Sequence, residues 1–379
     1  MKINISYTEI IIMLYFSQLI YDYHKNLDFS LEINQTFNEY FIKINALYED
    51  GINNIKLINI KEAILYLVGY YPNGKLYNFI NNFIYDINVA IIINPESNII
   101  IITFRGTDSI IDCYYDLKFL KRHIDFSNIE IHDGFFNQLM SVYNEILESL
   151  NELFNINSLY NIYITGHSAG AGQSTILSYL LSKKYHDKII KLITFGSPRI
   201  GNYEWKEAFN NTKNILYYRI TNEGDIITSI PNIYYYHVGI NIHLTIDNIY
   251  LGDDTIYIHN NMINLLNINN HKLINYINNL KNNFERWFIL FNNDNDNNTN
   301  TNNDNDSDNE INLESNNTLF VRFFTGNENS NENNITPKPK SNNNLIFNIL
   351  STITEVNHNL CNATTNSDDL INTSDTIDT

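Results

Sequence analysis

The run Ile162-Tyr163-Ile164-Thr165-Gly166-His167-Ser168-Ala169-Gly170 carries an apolar stretch into a serine with a glycine two residues away on either side. If a strand closes at Thr165 and a helix opens near Ala169, the turn leaves no room for side chains at 166 and 170. Ser168 is then pushed out on a strained elbow with its hydroxyl placed to attack a carbonyl carbon. A serine hydroxyl is a poor nucleophile until a neighbouring base takes its proton. The chain must therefore also supply a histidine, and an acid to fix that histidine's tautomer.

Where a sheet uses such an elbow, the order along the chain is serine, then acid, then histidine. Asp225 suits the second place: it follows an apolar strand ending at Thr221 and the turn Asn222-Glu223-Gly224. That puts it just past a strand's carboxyl end, where open α/β sheets bind ligands. A solvated turn aspartate is the competing reading. Three histidines follow. His237 lies in Tyr234-Tyr235-Tyr236-His237-Val238-Gly239, which reads as a strand and suits a packed structural histidine. His259 and His271 both lie near loops. His271 opens a helix with apolar residues at Leu273, Ile274, Ile277 and Leu280, so it ranks first and His259 second. The charge that develops on a substrate oxygen needs preorganised donors. Ala169 offers the N–H after the serine, and Thr107, past the strand Ile99 to Phe104, offers an N–H and a hydroxyl. Such chemistry needs no metal and no organic cofactor.

These residues must be held by a sheet. Val89 to Ile93 and Ile99 to Phe104 flank the turn Asn94-Pro95-Glu96-Ser97-Asn98 and read as adjacent antiparallel strands buried on both faces. Apolar residues at helical spacing from Phe136 to Leu153 predict one long amphipathic helix over Phe135 to Phe154. Further strands are expected up to Thr165, from Ile189 to Phe195 and from Ile215 to Thr221, with helices over Ser174 to Lys184 and Tyr203 to Phe209. Strands alternating with helices indicate a mainly parallel sheet covered on both faces. Near the start, Ile10, Met13, Leu14, Ser17 and Ile20 follow possible caps at Ser6 and Thr8 and read as an amphipathic helix over the sheet. A second helix runs through Ala63, Ile64, Leu67 and Val68. The rest of Asn26 to Gly74 is ambiguous.

Composition bounds the partners. The formal charge of −18 is concentrated from Asn292 onward, where 14 of the 42 acidic but 3 of the 24 basic residues lie. The remaining body is mildly acidic with no basic stripe, which argues against nucleic acid. Residues 1–291 read as one folded domain. The stretch 292–379 reads as a low-complexity Asn/Asp-rich tail, expected to be disordered because it lacks the apolar residues that repay ordering. Cys113 and Cys361 frame no disulfide or metal site. The apolar run Ile10 to Ile20 is too short and polar to span a membrane. It is also a poor signal peptide, interrupted by Glu9 and Gln18 with no small-residue cleavage site, so a cytoplasmic location is expected over a secreted one.

The sequence resembles the fungal-type, or class 3, lipases of the α/β-hydrolase superfamily over roughly residues 5 to 285. Five blocks fall in that family's order: Phe104-Arg105-Gly106-Thr107, His132-Asp133-Gly134-Phe135, Gly166 to Gly170, Thr194 to Asn202, and Arg219-Ile220-Thr221-Asn222 leading to Asp225. The resemblance implies an α/β-hydrolase fold with Ser168 as nucleophile, Asp225 as acid and Thr107 as oxyanion residue. It also implies that the histidine of the Tyr-His-Gly-like run at 235–239 is not catalytic. The family's catalytic histidine follows an aspartate and precedes an aromatic; here Asn270-His271 and Tyr276 fill those places. The family's lid corresponds to Asp108 to Leu117, where Ile110, Ile111, Tyr114 and Tyr115 would form an apolar underside. Cys113 stands where the family often has tryptophan, and Ala169-Gly170-Ala171-Gly172 replaces the usual leucine and paired glycines. The implied activity is carboxylic-ester hydrolysis on acylglycerols. A phospholipase A1, a general esterase and a non-catalytic lipid-binding protein on the same fold are the alternatives.

Arg105, Arg199 and Asp133 are expected to be structural.

Overall fold

In the computed structural model, which describes residues 5–23, 30–49, 55–107, 121–124, 128–252 and 268–292, the apolar runs pair into one eight-stranded sheet. All of these residues belong to the first of the two units into which the chain divides, Met1–Thr299. The strands are β1 Lys75–Asn82, β2 Ile87–Asn94, β3 Ile99–Phe104, β6 Asn161–His167, β7 Ile190–Phe195, β8 Ile215–Asn222, β9 Ile240–Leu244 and β10 Ile249–Gly252, adjacent in that order. From β3 to β9 every pairing is parallel, whereas β1 with β2, β2 with β3 and β9 with β10 are antiparallel. The parallel strands therefore deliver their carboxyl ends to one edge. A two-stranded ribbon, β4 Lys121–His123 and β5 Glu130–His132, stands apart.

The helices are α1 Tyr7–Asp22, α2 Phe37–Glu49, α3 Ile55–Tyr70, α4 Asp133–Met140, α5 Tyr143–Ile156, α6 Ala169–Lys184, α7 Tyr203–Asn210, α8 Leu273–Asn282 and α9 Phe284–Asn292. Helices α1 and α6 lie on opposite faces of the sheet, as alternation along β6 shows. The Thr165 hydroxyl meets Ser17 of α1 at 3.0 Å, while Gly166, the next residue, abuts Gly170 and Ser174 of α6. Ile100, Ile102, Ile162, Ile164, Ile190 and Leu192 are among the core residues on the α6 side. The α/β-hydrolase fold expected from the sequence is the fold observed.

Three local expectations are corrected. Helix α1 starts where foreseen, with Ser6 and Glu9 forming a reciprocal capping box. It is not amphipathic, because Tyr7, every residue from Ile10 to Ser17, and Ile20 are buried. The outer side that would have faced water packs on α3 and α8, and Glu9 is neutralised by Lys191 beside the Tyr163 hydroxyl. The single helix expected over Phe135 to Phe154 is two: Ser141 Oγ donates to the Gln138 carbonyl, and Val142 leaves helical geometry at φ −127° and ψ −1°. The run around His237 is not a strand. Tyr234 and Gly239 both take positive φ, and His237 donates from Nε2 to the Thr228 carbonyl at 2.6 Å, so it is the structural histidine expected.

Candidate active site

The turn between β6 and α6 holds Ser168 at φ 59° and ψ −127°, a conformation that L-residues avoid. Close packing imposes it. A Cβ on Gly166 would lie 2.5 Å from the Gly170 carbonyl oxygen, and one on Gly170 would lie 2.5 Å from that of Phe104. Strand and helix therefore cross with only backbone between them, as the sequence spacing implied. The Ser168 N–H donates to the Phe195 carbonyl of β7 at 3.1 Å, which fixes the elbow to the neighbouring strand.

The same edge receives the His271–Asp225 pair. Asp225 follows β8 and caps the 3-10 turn Ile226–Ser229, accepting from the Ile227 N–H at 2.9 Å. His271 closes the 3-10 turn Ile268–His271 before α8. Its Nδ1 lies 2.8 and 3.0 Å from the two carboxylate oxygens of Asp225, so Nδ1 carries a proton and donates it. Nε2 is buried with no hydrogen-bond partner among the described residues. The pair rests directly on β7. Gly196, at φ +59°, has no side chain because a Cβ there would come within 2.8 Å of the His271 ring and 3.1 Å of Asp225.

His167 joins the two halves of the site. Its Nε2 donates to the His271 carbonyl at 2.7 Å, and its ring lies 4.4 Å from the His271 ring, centroid to centroid. Because a carbonyl only accepts, Nδ1 of neutral His167 is the acceptor, and the Tyr21 hydroxyl, 2.9 Å away at the end of α1, donates a hydrogen bond to it. On the β3 side, Gly106 packs against the elbow: a Cβ there would be 3.0 Å from Ser168 Cβ and 2.5 Å from the His167 carbonyl. Thr107 is the next residue. Ala169 is the first residue of α6, where the N–H has no intrahelical acceptor. Ser168, Asp225 and His271 are all buried.

Known proteins resemble this chain in sequence and in fold. The profile of the family described as lipase (class 3) matches residues 101–235, from β3 through the elbow and Asp225. Over those residues the chain is similar to the class 3 lipase family. A lipase from Rhizopus niveus is 24% identical over 164 residues, covering 42% of this chain and 42% of that protein. A phospholipase A1-II 1 from Oryza sativa subsp. indica is 33% identical over 97 residues, 24% of this chain and 25% of that one. The chain thus spans less than half the length of the curated relatives it matches. The structure of a mutant of MDLA from Penicillium cyclopium superposes with a TM-score of 0.55 at 19% identity, covering 71% of this chain and 96% of that one. This likeness shows the fold.

At this site the electrostatics favour a charged Asp225. Burial pushes its carboxyl up, but the His271 charge and hydrogen bonds, with the Tyr276 hydroxyl donating to Oδ2 at 2.6 Å, outweigh it and hold the group below the usual carboxylate range. Burial, then the neighbouring Asp225, raises the Tyr276 phenol well above its ordinary value, so it remains a donor. Burial, reinforced by His271, pulls His167 down to about 3, and this second histidine stays neutral. Ion pairs account for Arg105 with Asp86 and for Asp133 with Arg122, and Arg199 donates to the Ser229 and Pro231 carbonyls. Of the residues singled out from the sequence, Ile110, Ile111, Tyr114 and Tyr115 of the lid, and His259, lie outside the described residues.

Sequence reasoning passed over Tyr21 and the bridging role of His167. The position of His167 beside the nucleophile was visible; nothing local to α1 marks Tyr21.

Proposed function

We infer that the chain hydrolyses carboxylic esters of lipids through an acyl-enzyme on Ser168. Ser168 Oγ attacks the ester carbonyl carbon while His271 Nε2 takes its proton, and Asp225 steadies the imidazolium formed. The N–H groups of Ala169 and Thr107, with the Thr107 hydroxyl, hold the negative oxygen of the tetrahedral intermediate. Collapse expels the alcohol, which takes the proton from His271. Water then adds to the acyl-serine by the same steps and releases the acid.

The observation that carries this reading is the buried His271–Asp225 pair, with Nδ1 committed to the carboxylate and Nε2 left without a partner among the described residues, at the sheet edge that carries the strained Ser168. Polar atoms buried without partners are costly. Triacylglycerol is the first substrate class we assign, in keeping with the Rhizopus relative named a lipase. Phospholipid sn-1 ester cleavage is the second, favoured by the rice relative named a phospholipase A1. Side-by-side turnover of triacylglycerol and phospholipid emulsions separates the two.

The direct test of the machinery is hydrolysis of a soluble short-chain ester by the wild type and by Ser168→Ala, His271→Ala and His259→Ala. We expect the first two changes to cost about 10^4-fold or more in kcat and the third to leave the rate within a few-fold. Retained activity in His271→Ala, with loss in His259→Ala, would transfer the base to the other histidine. A fluorophosphonate that fails to label folded wild-type protein would remove the enzyme reading and leave a lipid binder on a hydrolase fold.

A further inference from the structure

The turn between β1 and β2 carries three large apolar residues in succession, Phe83, Ile84 and Tyr85. Phe83 is 85% exposed and Ile84 91% exposed. Hairpin turns usually take Asn, Asp or Gly, whose side chains satisfy or tolerate turn geometry. Here Asp86, at φ 46°, and Asn82, whose carboxamide oxygen accepts from the Ile84 and Tyr85 N–H groups, do that work. The hydrogen bonds that shape the turn thus come from its flank, Asn82.

The register places this tip at the active-site edge. Val89 pairs with Phe104, Phe104 with Gly166, and the Arg105 N–H donates to the Asn88 carbonyl, so the start of β2 and the end of β3 share that edge. Two links tie the tip to the machinery. Asp86 pairs with Arg105, two residues before Thr107. The Tyr85 carbonyl accepts from Gln138, which in turn accepts from Gln173 of α6, the helix that Ser168 begins. Exposed apolar residues at the other end of the sheet lack this setting. Ile156 and Leu159 flank Asn157, which bonds Asn98 at the opposite end of the sheet.

We propose that Phe83 and Ile84 form an interfacial anchor that inserts into an uncharged lipid surface and presents the Ser168 edge to it. The surface is uncharged because the turn itself carries no basic residue to attract anionic headgroups. No lysine or arginine occurs between Lys75 and Arg105, Arg105 is taken by Asp86, and the chain carries a formal −18. A second copy of the chain is the poorer fit. Two or three side chains at a protruding turn supply a few hundred Å2 at most, against roughly 1,000 Å2 for a stable protein interface. The anchor rests on the ester-hydrolase reading for its purpose, but binding is measured without turnover.

The test uses the full chain carrying Ser168→Ala, so that no lipid is consumed, and co-flotation with dioleoylphosphatidylcholine vesicles. Phe83→Ser with Ile84→Ser should lower partitioning by about tenfold or more, while Leu159→Ser leaves it unchanged. Adding dioleoylphosphatidylserine should not strengthen binding. In a second measurement, Ile84→Trp should give an emission shift to the blue on vesicle addition and quenching by brominated lipid, against native Trp205 and Trp287, which are buried. In the otherwise wild-type chain, the double serine change should leave soluble-ester hydrolysis and the thermal midpoint unaltered while lowering emulsion hydrolysis. Equal partitioning of parent and double variant, binding that requires phosphatidylserine, or a tip-dependent dimer in sedimentation would each overturn the anchor. Failure of the wild type to cleave any soluble ester would instead count against the ester-hydrolase reading, whatever the vesicles show.

Discussion

Two short turns bring Ser168 and His271 to the same edge of the sheet by different means. The β6–α6 turn places Ser168 by exclusion: Gly166 and Gly170 remove the atoms that would hold strand and helix apart, and the backbone is forced into positive φ. The Ile268–His271 turn has no such local constraint. His271 is held by Asp225 from β8, by His167 through its own carbonyl, and by the carboxamide of Asn270 reaching the Glu223 carbonyl at 2.9 Å. The position of Ser168 is therefore written into five consecutive residues, whereas that of His271 depends on partners 46 and 104 residues away. Local geometry should fail by steric strain and the distant assembly by loss of hydrogen bonds, and the two kinds of failure are separable.

The largest effect is expected where exclusion is tightest. In Gly170→Ala the new methyl would meet Phe104 and Arg105 backbone atoms at 2.5 to 3.0 Å, and these cannot turn aside as a side chain can. Relief requires β3, which carries Gly106 and Thr107 at its end, to separate from α6. We expect a loss of about 3 kcal/mol in urea unfolding and near-complete loss of ester hydrolysis. The control is Gly69→Ala in α3, where nothing lies within 4 Å of the added carbon. That change should be neutral or stabilise by up to about 1 kcal/mol. Equal stability of the two variants would remove the steric account of the elbow.

This asymmetry also explains what could be read from the sequence. The elbow, the strands around it and Asp225 past the end of β8 are set by short-range pattern, and they occur in the structure where the pattern put them. The apolar side chains of α1 follow a helical repeat, but a repeat does not reveal that α3 and α8 cover its outer face, so its burial was missed. The break between α4 and α5 turns on one serine hydroxyl competing for a carbonyl, which apolar spacing does not register. Between Asn26 and Gly74, α2 escaped notice. Beyond it lay β1, whose Asn78, Asn81 and Asn82 interrupt Leu76, Tyr77, Phe79 and Ile80 on a half-buried edge strand and blur the apolar signal. Tyr21 reaches His167 across 146 residues of sequence, and only the fold brings them together.

A middle-sized effect is expected from Tyr276, which serves the distant assembly. Its hydroxyl donates to Asp225 Oδ2 and accepts from the Asn222 N–H at 3.2 Å. Tyr276→Phe keeps the buried ring but leaves the carboxylate short of one donor and the Asn222 N–H without its acceptor. Hydrogen bonds to charged groups contribute about 1.5–3 kcal/mol, so kcat/KM should fall by roughly ten- to a hundredfold. Because the lost donor favours the carboxylate form, Asp225 should become easier to protonate, and the acid limb of the pH–rate profile should move to higher pH. A rate loss with an unmoved acid limb would make Tyr276 a packing residue only.

The smallest effect concerns His167, where the two turns meet. In the folded chain this imidazole stays neutral down to about 3, because burial and the adjacent His271 oppose its charging; its ordinary value is 6.5. Between those values the unfolded chain binds a proton that the folded chain does not, so stability rises with pH through the window and falls as pH is lowered from 6.5 toward 3. The slope from this one group is at most about 1.4 kcal/mol per pH unit. Asp225 acts in the same direction, since its depressed value gives stability that is lost as pH falls through it. His167→Gln retains an N–H to reach the His271 carbonyl but has no proton to gain. Urea midpoints of the wild type should therefore decline more steeply across the window than those of the variant, with the Asp225 contribution common to both. Parallel curves would mean that His167 titrates alike in folded and unfolded chains, and the neutral imidazole joining elbow and base would have to be abandoned.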